Sequence, residues 1–168
     1  METIINKVAQ SGLITFNLED YYDTHERVIF DIKDCLFMGL ILKEKDFREF
    51  IKLHDWEQYR NKNVAILCSA DAIVPTWAYM LIASKLNGLA NYFIFGSLAE
   101  LENSLFLNKL ANLDVEQFRD QKMVIKGCSN LPVPVSAYVE ISRLLLPVVS
   151  SIMYGEPCST VPVFKRKV

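Results

Sequence analysis

Three cysteines in this chain are each followed by a serine: Cys68-Ser69, Cys128-Ser129 and Cys158-Ser159. As thiolates they would suit zinc, Cu(I) or an iron–sulfur cluster, because soft sulfur ligands favour those centres. One of them alone, with a lowered pKa, would instead serve as the nucleophile of a thiol enzyme or a sulfur-transfer protein. No obvious general base accompanies such a nucleophile, since the only histidines are His25 and His54. The same count excludes a multi-histidine metal site, and the Cys-x-x-Cys spacing of zinc sites is absent. Asp71, three residues after Cys68, and Glu156, two before Cys158, are the carboxylates placed to add a fourth ligand. Each also has an ordinary reading, Asp71 as a loop cap and Glu156 as a solvated turn carboxylate. Cys35 lies in an apolar run outside this pattern and is expected to pack as a small hydrophobe.

The elements that would position these thiols are written twice. Cys68-Ser69-Ala70-Asp71-Ala72-Ile73-Val74-Pro75-Thr76-Trp77-Ala78-Tyr79 is echoed by Cys128-Ser129-Asn130-Leu131-Pro132-Val133-Pro134-Val135-Ser136-Ala137-Tyr138. Upstream, Asp55-Trp56-Glu57-Gln58-Tyr59-Arg60 is echoed by Asp114-Val115-Glu116-Gln117-Phe118-Arg119. Asp55 and Asp114, Val74 and Val133, and Gly96 and Gly155 all stand 59 positions apart, whereas the cysteines stand 60 apart. One residue therefore enters the second copy before its cysteine and is lost again in the spacer. A fixed period of this kind marks a duplicated supersecondary unit, read here as residues 44–97 and 103–156. Cys158-Ser159-Thr160-Val161-Pro162 is a truncated third echo.

Each copy reads as strand, helix, strand. Asn63 to Leu67 and Met123 to Lys126 are short apolar strands, with Gly127 before Cys128 letting the backbone turn. Pro75 and Pro134 stand at helix starts, where a missing N–H costs little. Asn87-Gly88 ends the first helix. Tyr92 to Phe95 and Ser151 to Tyr154 are the closing strands. Lys43 to His54 is an amphipathic helix ahead of the first copy's strand, and Leu98 to Leu113 a helix ahead of the second copy's strand. Leu13 to Leu18 and Val28 to Asp31 are further strands, and residues 1–12 a short helix or arm. The expected architecture is α/β: one domain over residues 1–168, two tandem strand–helix–strand repeats, and a mostly parallel sheet. Ligands of such sheets bind beyond the carboxyl ends of the strands. Cys68, Cys128 and Cys158 would then line one edge, with two of them ahead of helix starts that favour thiolate. Tyr79 and Tyr138 recur on the first helical turn and read as core packing.

Bulk properties narrow the partners. A net charge of −2 carries no electrostatic footprint for nucleic acid. No apolar run approaches the ~20 residues of a membrane span. Met1-Glu2-Thr3 lacks the basic start of a signal peptide, so a cytoplasmic location with free thiols is expected. A non-catalytic interaction module, forming a homodimer, is a third reading beside the metal protein and the thiol enzyme.

Two of these stretches, Leu67 to Tyr79 and Met153-Tyr154-Gly155-Glu156-Pro157-Cys158-Ser159-Thr160-Val161-Pro162, resemble an uncharacterised bacterial family filed as a domain of unknown function. Phe30-Asp31-Ile32-Lys33-Asp34 and Leu40 to Arg48 are similar to it too, so the resemblance covers nearly the whole chain. Genes of that family tend to lie near those of the SUF iron–sulfur assembly system. The resemblance thus implies a role in iron or sulfur handling, with iron–sulfur assembly proteins as partners.

Overall fold

The computed structural model describes residues 12–127 and 129–167. The expected helix or arm before Gly12, and Cys128 itself, lie outside the described residues. Within them run β1 (Leu13–Asn17), β2 (Arg27–Asp31), α1 (Glu44–Leu53), β3 (Asn63–Leu67), α2 (Thr76–Leu86), β4 (Tyr92–Phe95) and α3 (Leu98–Ala111). There follow β5 (Lys122–Lys126), α4 (Val135–Leu145), β6 (Ser151–Glu156) and β7 (Ser159–Lys165). The fold is mixed α/β and mostly parallel, as the apolar runs and proline-marked helix starts imply.

The strands do not share one sheet. They form two, in the orders β1-β5-β6-β7 and β2-β3-β4, parallel throughout except for β6 with β7. The reason lies upstream of both strand–helix–strand segments: β2 pairs with β3 and β1 with β5, so each segment gains an N-terminal strand of its own. The chain accordingly divides into two compact units. The continuous unit is Thr24–Ser104; the split unit takes the chain up to Asp23 and from Leu105 onward. Phe30, Phe47, Ile51, Val64, Ile82 and Leu86 centre the core of the continuous unit. Phe16, Phe106, Met123, Ile141, Leu145 and Ile152 do so in the split unit. Helix α1 shows the pattern that builds such cores. Phe47 and Ile51, four residues apart, are buried, while Glu44 and Asp46 in its first turn and Lys52 in its last complement the helix dipole.

The motif Asp-x-Glu-Gln-aromatic-Arg is a turn that fastens itself. Asp55 Oδ1 accepts the Glu57 amide at 3.1 Å, and Gln58 Nε2 donates to the Asp55 carbonyl at 2.7 Å. Asp114 and Gln117 make the same two bonds at 3.1 and 2.7 Å. Arg60 pairs with Glu57, and Arg119 with Glu116. Asn61 and Asp120, which follow, both take positive φ, at 57° and 60°. This repeated sequence is therefore spoken for by local structure: it ends one 3-10 turn and aims the chain into β3 or β5.

The third echo has a different meaning. Pro157 and Cys158 form the turn of a hairpin, and β7 returns antiparallel along β6. Pro162 hides this strand from a sequence reading. It is tolerated because β7 is an edge strand and its register with β6 is irregular at Ile152/Met153.

Candidate functional site

The loops after β3 and β5 are each clasped by a carboxylate at or just past the end of the first strand of their unit. In the continuous unit Asp31 accepts the Ser69 amide at 3.0 Å and the Ser69 hydroxyl at 2.6 Å. In the split unit one oxygen of Glu19 accepts the amides of Ser129, Asn130 (2.8 Å) and Leu131 (3.4 Å). Successive amides turned to one point make an anion-binding concavity, and here the chain fills it with its own carboxylate. The Asn130 amide, against the opposing effect of burial, leads the groups that hold Glu19 below the ordinary carboxylate range; the Leu131 and Ser129 amides and the Lys126 charge assist. For Asp31 burial is the largest single influence and acts upward. The Ser69 hydroxyl and amide, the Lys33 amide and the Lys33 charge together outweigh it, so this carboxyl too is held low.

A depressed folded-state pKa gives stabilisation that is complete above the unfolded carboxylate range and is lost as pH falls through the folded value. The Ser69 and Asn130 amide resonances should therefore titrate with midpoints below the ordinary Asp and Glu values of about 3.9 and 4.3. Midpoints at or above those values in an NMR pH series would show that the carboxylates do not clasp these loops. Neither Asp31 nor Glu19 stands out by sequence alone. Phe30-Asp31-Ile32-x-Asp34 does repeat Phe16-Asn17-Leu18-x-Asp20, but that match sets Asp31 against Asn17, each capping the turn that follows, and leaves Glu19 unmarked.

The thiols are distributed as follows. Cys68 stands just past β3 in the continuous unit, half-buried, its sulfur 3.6 Å from the Ala70 carbonyl. Asp71 is exposed in the same loop. Cys158 is exposed at the hairpin turn of the split unit, and Glu156 beside it faces Lys126 at 3.3 Å. The single sheet edge expected to gather Cys68, Cys128 and Cys158 is thus two edges, in two units. Among the described residues no group of three or more His, Cys, Asp or Glu side chains is disposed to hold a metal ion.

Cys35 is better connected than its sequence context suggests. It lines a cavity of about 190 Å³ with Asp31, Asp34, His54 and Tyr59. Burial first, then the charges of Asp34, Asp31 and Cys68, pushes its thiol up to about 11, which keeps it protonated and unreactive at neutral pH. Tyr59, whose hydroxyl lies 3.1 Å from His54 Nε2, is raised to about 12 by burial, with Cys35 and Asp55 adding to it.

The elements on either side of the loops share the 59-residue offset without a gap: β3 and β5 begin at Asn63 and Lys122, α2 and α4 at Thr76 and Val135. By position, then, the residue matching Cys68 is Gly127, and Cys128 matches Ser69. Gly127 has a packing reason. A Cβ there would stand 2.6 Å from the Tyr138 hydroxyl and 3.3 Å from Val133. In the other unit the thiol is present near Tyr79, whose hydroxyl is pushed up first by burial, with Cys68 and Asp31 adding to it.

The same offset relates two apolar grooves. In the split unit, Ile125, Tyr138, Ser142, Ile152, Met153 and Tyr154 line a groove of about 440 Å³ with Val133, Val135 and Val163. In the continuous unit, Ile66, Tyr79, Ala83, Phe93, Ile94 and Phe95 line one of about 280 Å³ with Met80. Each holds an edge-to-face ring pair, Tyr138 on Tyr154 at 5.9 Å and Tyr79 on Phe95 at 5.1 Å. The larger groove is the one β7 flanks, through Val163.

A family model described as a protein of unknown function, DUF2480, matches residues 2–166. The chain belongs to this family. No curated protein and no solved structure matches it. Among the described residues no helix is long and apolar enough to cross a membrane.

Proposed function

We propose that this chain is a non-catalytic interaction module, built by duplication of one α/β unit, that receives an apolar anchor of a partner protein in the groove between α4 and β6. The lining of that groove carries the reading. Its volume of about 440 Å³ is walled by aliphatic side chains, with polar groups only from Tyr138, Ser142 and Tyr154. A concave apolar site with a few hydroxyls suits binding, and no carboxylate, histidine, cysteine or lysine lines it to move a proton or attack a substrate. The 59-residue offset of both sheets' elements, and the matching bonds of Asp55 and Asp114, support the duplication. A second apolar surface agrees with the reading: Phe37, Met38, Leu40, Ile41 and Ile73 are exposed and linked by Phe37–Ile41 and Ile41–Ile73 backbone bridges. The thiolate reading of Cys68, Cys128 and Cys158 gains no comparable support from the described residues.

The groove can be tested without knowing the partner. An apolar reporter dye, anilinonaphthalene sulfonate, should bind the folded chain. Ser142→Trp, which fills the groove from α4, should weaken that binding by about tenfold, equivalent to about 1.4 kcal/mol. Absence of dye binding to the wild-type chain, or equal binding to Ser142→Trp, would count against the reading.

A further inference from the structure

In the split unit the outer edge of β6 is taken by β7, antiparallel from Ser151 opposite Lys165 to Glu156 opposite Ser159. The strand at the same place in the continuous unit is β4. It ends its sheet with one neighbour, β3, and no strand among the described residues pairs with its other edge. Such an edge presents a row of backbone donors and acceptors to any incoming chain, and proteins usually guard it with charge, proline or a bulge. β7, the outermost strand of the other sheet, is guarded in this way, by Pro162 and Lys165 and by its irregular register. β4 is not: Tyr92-Phe93-Ile94-Phe95 has no charge and no proline. Apolar surface accompanies it. Phe95 is 71% and Met80 67% exposed, and both line the groove beside the strand.

We propose that β4 is a self-association edge, on which β4 of a second copy adds antiparallel about a two-fold axis. The two three-stranded sheets then become one continuous sheet. One observation and two physical arguments select a second copy. The matching edge in the split unit takes an antiparallel neighbour, so this place in the unit accommodates that geometry. The occupant must be uncharged where it meets Phe95 and Met80, since a charge buried there would be unpaired. β4 itself meets that condition, and a strand paired antiparallel with its own copy is self-complementary, the requirement of a two-fold interface. The occupant of the larger groove in the split unit is a separate question, and neither proposal depends on the other.

Sedimentation equilibrium of the full chain across micromolar concentrations should show a monomer–dimer equilibrium. Phe95→Lys, which places a charge on the seam, should weaken it by at least about tenfold. Val161→Lys on β7, a residue 59% exposed in the other unit, should leave it unchanged. Hydrogen exchange of the wild-type chain supplies the second readout: the β4 amides should become protected as concentration rises, with the β7 amides unaffected. A chain that stays monomeric overturns the proposal. So does a dimer in which the β4 amides gain no protection, or one broken by Val161→Lys and not by Phe95→Lys. Should Phe95→Lys fail to fold, the wild-type exchange measurement decides alone.

Discussion

Phe47→Ala is expected to destabilise the continuous unit by about 3–5 kcal/mol, the range for deleting a buried aromatic ring and leaving its cavity. Phe47 is 1% exposed on the inner face of α1, with Trp77 edge-on at 5.9 Å. Helix α1 buries Phe47 and Ile51 fully, and Phe50 adds an edge-on contact to Phe30 of β2 at 6.3 Å, so Phe47 is the largest of its side chains sealed in the core. Against a typical domain stability of about 5–15 kcal/mol the loss is large, and urea unfolding would read it directly. Because the two cores contain different residues, the damage should also be local. Hydrogen exchange should accelerate in β2, β3 and β4 and much less in β1, β5 and β6. Phe106→Ala, equally buried at 1% exposure in the split unit, should reverse the pattern. Uniform acceleration in both units by either variant would mean that they unfold as one cooperative body, and the division into two cores would lose its energetic meaning.

Gly155→Ala is expected to be the most damaging single-methyl insertion, at about 2–5 kcal/mol, combining backbone strain with overpacking. Gly155 has φ +118°, a conformation side-chain-bearing residues avoid, and an added Cβ would stand 2.7 Å from the Ser159 carbonyl oxygen. That oxygen belongs to the strand paired with β6, so relief requires the hairpin to open. Gly96, its counterpart with φ +145°, would press instead on the Glu100 carboxylate, a side chain able to turn away. The alanine variant at 155 should therefore lose more stability than the one at 96. Thermal unfolding of the pair would check the order, and equal losses would show that the hairpin is free to yield.

Much of the local structure was legible because short-range physics decides it. Asn63 to Leu67 is a run too apolar to leave in solvent, and it forms β3. Pro75 and Pro134 cannot sit inside a helix, and α2 and α4 begin directly after them. The self-fastened turns at Asp55 and Asp114 close within six residues, so their sequence repeats as faithfully as their bonds. Less legible were features in which one residue type serves two ends. Cys158 to Pro162 read as a third echo of the repeated motif, yet it opens β7, an edge strand where a proline is tolerated. The cysteines, 60 apart, seemed to need an inserted residue, whereas the strands and helices around them keep a spacing of 59 and place Gly127 opposite Cys68. A glycine chosen for the room it leaves Tyr138 carries no mark in the sequence to say so.

By itself, then, the sequence determined most of the elements, their order, the mixed α/β class and the membership of the family. Tertiary structure decided the rest, because pairing between distant strands is not encoded in any local pattern. β1 joins β5 across more than a hundred residues and β2 joins β3 across about thirty, and those two choices split one expected sheet into two. The same choices assigned Cys68 and Cys158 to different units, brought Asp31 to Ser69 and Glu19 to Asn130, covered β6 with β7 and left β4 without a second strand neighbour among the described residues. Each depends on which backbone groups find partners far along the chain, and that is settled only when the apolar faces of the helices have found the sheets they cover.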